Sequence, residues 1–239
     1  LAQGMGISPA VMLISGAAPD SVEANARTGT LGFWTKPLDL KSILAFVANF
    51  AARASQGHIG RARYLATNES VRSNRKVIMQ LPLQLSSLAA AFQAAQTLVD
   101  LATEEANNAS EARDEAEIEK LQEAYGKGAT SRGMATGGAK AVKELEKEQK
   151  SRATRMVRDS IDGALLDIAT FYRDVMMVQS GVTDSLINSD LTDDISRLAS
   201  KIPPASTINK INAIMNARTN LGHNAAPLLT LEALFCSLA

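Results

Sequence analysis

The stretch Gly133-Met134-Ala135-Thr136-Gly137-Gly138-Ala139-Lys140 has a glycine at each end of a four-residue gap, the spacing of a loop that cradles phosphate. That chemistry needs lysine directly after the second glycine, then Ser or Thr, and an apolar strand before the loop. Ala139 takes the lysine position and a charged helical sequence precedes it, so the expectation is a flexible connector. Residues 104–119 hold seven acids and one base, Arg113. They lie among Ala, Glu and Asn with no histidine, which reads as a solvated helix face and not as a metal site. Asp159, Asp162 and Asp167 alternate around a helix and are expected at its surface. His58 and His223 each stand beside a glycine (Gly57, Gly222) and are expected in turns or caps. Ser15, Ser55 and Ser151 lack the strand-turn-helix context of a nucleophile elbow. No catalytic residue, metal ligand or cofactor site is assigned, and the chain is expected to have no catalytic site of its own.

The strongest sign of a partner is basic. Arg53, Arg61, Arg63, Arg72, Arg75 and Lys76 cluster against Glu69 alone. They read either as a solvated helical face or as candidate phosphate contacts that would also suit an acidic surface.

The elements that position these residues follow from composition. The 239 residues carry 25 Lys+Arg and 25 Asp+Glu, a balance that excludes a domain working by bulk positive charge. Apolar residues at 46% and charged residues at 21% are globular, and 4% aromatic argues against a stacking platform for single strands. The single cysteine, Cys236, forms no intrachain disulfide and no cysteine-based zinc site, so a reducing, cytoplasmic setting is expected. No apolar run reaches the roughly 18 residues of a membrane helix, and no signal-peptide pattern opens the chain. A start at Leu1 is read as a fragment of something longer.

Residues 83–202 contain no proline, and residues 83–125 no glycine. Such a sequence predicts long helices. Helices are expected over Ile59–Thr67, over Ser73–Ala106 with a bend or restart at Pro82, over Ala109–Tyr125 as an acidic helix or a continuation of the last one, and over Ala139–Gln179. The last carries Val157, Ile161, Leu165, Ile168, Tyr172 and Val175 as one stripe. Asp190 is expected to cap a short helix with Asp193 and Asp194 in its first turn, Lys201 in its last, and Pro203-Pro204 stopping it. Thr207–Leu221 presents Ile208, Ile211, Ile214 and Met215; Ala226–Leu238 presents Leu228, Leu231, Leu234, Phe235 and Leu238. Residues 1–50 differ, with short apolar runs at Ala10–Ile14 and Leu31–Thr35 that suit strands and a helical stretch from Leu38 to Asn49. The fold class is therefore mostly α: a helical collar-like bundle preceded by a short truncated α/β segment. Charge adds a prediction. The acidic stretch 104–119 and the basic stretch 127–158, with nine bases and three acids, flank the glycine loop. An antiparallel hairpin would set them side by side.

The string Ala51-Ala52-Arg53-Ala54-Ser55-Gln56-Gly57-His58-Ile59-Gly60-Arg61-Ala62-Arg63 resembles the end of the AAA+ lid in the delta-prime family of bacterial DNA polymerase III subunits. Gly126 to Gly138 with Leu145 to Arg155 looks like the collar insert of high-GC Gram-positive, actinobacterial-type members. Phe171-Tyr172-Arg173-Asp174-Val175 and Asn224-Ala225-Ala226-Pro227-Leu228 to Leu234 also match. The resemblance covers about residues 51–239. It implies a clamp-loader subunit whose helical collar joins a ring with other loader subunits, with only indirect links to the sliding clamp and primed DNA. It implies no small-molecule substrate, no membrane and no ATP hydrolysis by this chain. In hydrolysing relatives an arginine follows the lid's Gly-x-x spacing; here Gly57 and Gly60 set the spacing and Arg61 comes one place later. The arginine-finger tripeptide, the nucleotide-fold core and the four-cysteine zinc module are absent from this sequence.

Residues 1–50 resemble the last third of a response-regulator receiver, through Ala10–Ile14 ending at Ser15, Gly29 to Trp34, and Lys36-Pro37. A diverged AAA+ remnant and a fused reading frame with a join near residues 47–52 are the alternatives. The expected organisation is a truncated segment at 1–50, a lid-end remnant at 51–73 and a collar at 74–239. The interface candidates are Asn224, Pro227, Leu228, Leu231, Glu232 and Phe235, on the ring contact or its supporting core. The competing functional readings are a degenerate receiver fused to a helical output module and a helical adaptor with no loader role.

Overall fold

The computed structural model describes residues 13–15, 33–35, 40–55, 57–125 and 138–239. The Lys36-Pro37 pair and the glycine loop up to residue 137 lie outside the described residues. Two short strands, β1 (Leu13–Ser15) and β2 (Phe33–Thr35), pair in parallel, with Leu13 opposite Phe33 and Ser15 opposite Thr35. Eight helices follow among the described residues: α1 (Leu40–Ala54), α2 (Ile59–Thr67), α3 (Glu69–Gln80), α4 (Leu88–Ala124), α5 (Gly138–Gln179), α6 (Thr192–Lys201), α7 (Pro204–Gly222) and α8 (Pro227–Leu238). The mostly α expectation holds.

Local chemistry sets the helix ends. His58 Nδ1 accepts from the Arg61 N–H at 3.2 Å and caps α2, the cap role expected of it. Ser87 caps α4 by accepting from the Ala90 N–H. Pro82 falls in a 3-10 turn, Leu81–Leu83, so the chain stops and restarts there instead of bending. Of the two expectations for the acidic stretch, continuation holds: it extends α4 without interruption. One expectation fails at α6. Its N-cap is Leu191, with no side-chain cap, and Asp190 sits in the preceding 3-10 turn, Ser189–Leu191. Asp193, Asp194 and Lys201 do occupy the predicted first and last turns.

Two left-handed residues close helices. Gly181 (φ 79°) follows α5, where the Val182 N–H donates to Met177 O and the Gly181 N–H to Val178 O. Asn224 (φ 64°) does the same after α7, through Ala225 N–H to Asn220 O and Asn224 N–H to Leu221 O. Both are Schellman closures; Asn is the commonest stand-in for glycine at that position.

The chain forms two compact units, Leu1–Leu83 with Asp167–Ile214, and Gln84–Leu166 with Met215–Ala239. In the first, Leu65, Met79, Ile168, Phe171, Tyr172 and Ile195 are fully buried, and Phe171 meets Tyr172 edge to face at 5.5 Å. Burial raises the Tyr172 phenol well above its ordinary pKa. Gln179 joins three segments here: it donates to the carbonyls of Ala199 and Ile202 and accepts from the Thr207 hydroxyl. In the second unit, α4 and α8 pack along an alanine-rich seam (Ala91, Ala94, Ala95, Leu98) against Leu231, Leu234, Phe235 and Leu238. Small side chains on α4 allow close helix approach.

Candidate subunit interface

The basic cluster of residues 53–76 divides into two groups once folded. Arg53 and Arg63 are exposed. Arg61 and Arg75 instead converge on Asp167 of α5, at 2.5 and 3.1 Å, and Arg75 also donates to Asn188 Oδ1 at 2.6 Å. Arg75 and Asp167 are each 4% exposed, and the Arg75 guanidinium lies 5.3 Å from the centre of the Phe50 ring. Arg72 donates to the carbonyls of Leu65 and Ala66, and Lys76 is half-buried. The reading of Arg75 as a phosphate contact is corrected: its charge is spent inside the protein. The reading of Asp167 as a surface residue is corrected with it. Asp162 does lie nearer the surface, held by a two-point bond from Arg218, whose guanidinium is pushed up in pKa by that carboxylate.

The network continues inward. Asp174 has no solvent exposure. It accepts from Arg173, from the backbone N–H groups of Ile187 and Asn188, and from Asn188 Nδ2. Asn188 also donates to the Thr170 hydroxyl. Among the described residues, none of the buried side-chain polar atoms left without a partner belongs to Arg75, Asp167, Thr170, Asp174 or Asn188, the condition under which buried charge fixes one arrangement. The lid-like glycines play simpler parts. Gly57 takes φ 86°, and a side chain at Gly60 would press on the His58 ring at 3.3 Å.

Among the proposed interface residues, α8 separates two roles. Leu231 and Phe235 have no exposure and belong to the core of their own unit. Pro227, Leu228 and Glu232 are half-buried, and Asn224 is exposed and accepts from Arg158 at 2.8 Å. The open side of α8 is carried by Leu229, 66% exposed, with Ala233 and Cys236 at i+4 and i+7. Sequence reasoning missed these three, although the same helical period that placed Leu231 and Phe235 inward puts them outward.

The long helices supply a second surface. Ser160 donates to Glu105, Gln149 to the Asp114 carbonyl, and Arg152 to both Asp114 and Glu117. Residue numbers rise on α4 as they fall on α5, so the two form the predicted antiparallel hairpin. The Arg152 guanidinium, then the Gln149 amide, lower the Glu117 pKa, and Arg152 is raised in turn.

Residues 158–235 match the family model for DNA polymerase III, delta subunit, C terminal. The matched stretch begins within α5 and takes in α6, α7 and most of α8, so it includes Asp167, Asp174, Leu229 and Ala233. No match is found among curated proteins or among solved structures. Among the described residues no helix is long and apolar enough to cross a membrane, and no group of three or more His, Cys, Asp or Glu could hold a metal ion.

Proposed function

We propose that this chain is an accessory subunit of the DNA polymerase III clamp loader that works by assembling with the other loader subunits. The observation that carries this reading is the delta-subunit match over residues 158–235. The finer reading is a delta-prime type of subunit, with residues 51–73 as the end of an AAA+ lid and 74–239 as the collar, active in the cytoplasm and without catalysis of its own. The Arg61–Asp167 pair supports a non-hydrolysing role, because the arginine nearest the lid's sensor position is turned toward α5. Leu229, Ala233 and Cys236 are the surface through which α8 would meet a neighbouring collar, with Leu231 and Phe235 supporting them from within. For residues 1–50 the receiver-like and AAA+-remnant readings both stand; a parallel strand pair is a unit of either.

The test is to mix the full chain with the remaining loader subunits and measure mass by light scattering. The expected result is one added copy in the assembly, lost in a Leu229→Asp variant that keeps its helix content. Failure of the wild-type chain to join subunits that assemble among themselves would refute the proposal.

A further inference from the structure

The hairpin divides its charge by face. Three of the seven acids of 104–119, Glu105, Asp114 and Glu117, turn toward α5 and bond to it. The other four, Glu104, Glu111, Glu115 and Glu119, are exposed, and at 100° per residue they fall within about 80° of one another, on the side of α4 roughly opposite Glu117. On α5, Lys140, Lys143, Lys147 and Lys150 are all exposed. Their spacing of three, four and three residues puts them in one stripe, again directed away from the partner helix. Lys147 has a loose ion pair with Glu144 at 3.6 Å, with side chains 79% and 65% exposed. Glu144, Glu146 and Glu148 lie about 80–120° around the helix from the centre of the stripe.

We propose that this lysine stripe on α5 docks the backbone of duplex DNA. Its length is about 15 Å, over which one DNA strand presents about four phosphates. Lysine supplies mobile point charges, suited to backbone contact without base reading. No aromatic residue lies between Gly138 and Leu166, so nothing is present for unpaired bases to stack on. A protein partner fits less well: no large apolar side chain of α5 is exposed, and protein interfaces rest on such anchors. The acidic face of α4 does not cancel the stripe. It stands roughly 20 Å away across two helix diameters, beyond a Debye length of about 8 Å at physiological salt. The choice of DNA among polyanions rests on the clamp-loader reading; the stripe itself does not.

The test is fluorescence anisotropy of a labelled duplex of about 20 base pairs with the full chain, over a salt series from about 50 mM. The wild type should bind with a steep salt dependence. A variant carrying Lys→Ala at positions 140, 143, 147 and 150 should bind at least tenfold more weakly, with the slope of log K against log salt reduced by about 3–4. Alanine favours helix at exposed sites, and circular dichroism checks that the hairpin persists. Glu→Gln at 104, 111, 115 and 119 serves as the control and should leave binding equal or slightly tighter. Equal binding by wild type and lysine variant would overturn the proposal, as would no binding by the wild type at low salt. Loss of subunit assembly in the lysine variant, without any DNA binding by the wild type, would overturn it too and assign the stripe to an acidic protein surface. Light-scattering assembly is read separately, so failure here leaves the loader reading intact and failure there leaves the stripe intact.

Discussion

Arg75 Nε donates to Asp167 Oδ1 at 3.1 Å across 92 residues of sequence, and both side chains are almost completely shielded from water. Removing one member of such a pair leaves the other as a buried charge. Asp167→Ala is therefore expected to destabilise its unit by about 3–5 kcal/mol. Urea unfolding would measure this. A loss below about 1 kcal/mol, the range of an exposed pair, would mean that the pair is solvated.

The two sides of α8 should respond differently. Phe235→Ala removes a fully buried ring and should cost about 3–5 kcal/mol. Leu229→Ala, on the open side, should stay within about 0.5 kcal/mol of wild type in the isolated chain. Thermal melts of the two variants check the contrast, and equal losses would contradict the assigned faces.

Asn224 holds a left-handed backbone at the end of α7. Glycine adopts that conformation freely, whereas alanine pays about 1–2 kcal/mol for it. Asn224→Gly should thus remain near wild-type stability and Asn224→Ala should not. The Arg158 contact disappears in both, so their difference isolates the backbone effect.

Tyr172 predicts behaviour at alkaline pH. Burial raises its pKa, so the stabilisation it contributes is full below the ordinary tyrosine value of about 10 and is lost as pH rises through the folded value. Ultraviolet titration should show this phenol resisting ionisation until the chain unfolds. Tyr172→Phe should flatten the fall in stability above pH about 10.

Glu117 predicts the acid limb. Arg152 and Gln149 depress its pKa, so its contribution is present above the ordinary carboxylate range and lost as pH falls through the folded value. The melting temperatures of wild type and Glu117→Gln should converge as pH falls toward 3. A gap that widens on acidification would contradict the hydrogen-bonded carboxylate.

Periodicity and punctuation made most of the helices legible: Ile59–Thr67 matches its predicted bounds, and Ala139–Gln179 begins one residue earlier than predicted. The hairpin was legible from charge alone, because acids and bases in equal register on either side of a glycine loop leave few other pairings. Asp167 was not legible. An aspartate among surface-spaced aspartates looks solvated, and its partners Arg61 and Arg75 lie in helices whose packing no local pattern reports. For Leu231 and Phe235 the expectation left open the ring contact or its supporting core, since an apolar stripe marks burial without saying whether its own chain or a neighbour provides it. At α8 the stripe went to α4, and the open side passed to Leu229.

The two charged faces of the α4–α5 hairpin also bear on how the protein behaves in bulk. A net charge of +0 and an isoelectric point near 7.0 would ordinarily mean weak retention by any ion exchanger at neutral pH. Here the separation of lysines from glutamates makes a large permanent dipole, and each resin meets only the face turned toward it. At low salt the chain should adhere to anion and cation exchangers alike, and it should crowd with its own copies near neutrality, where opposite faces of different molecules attract.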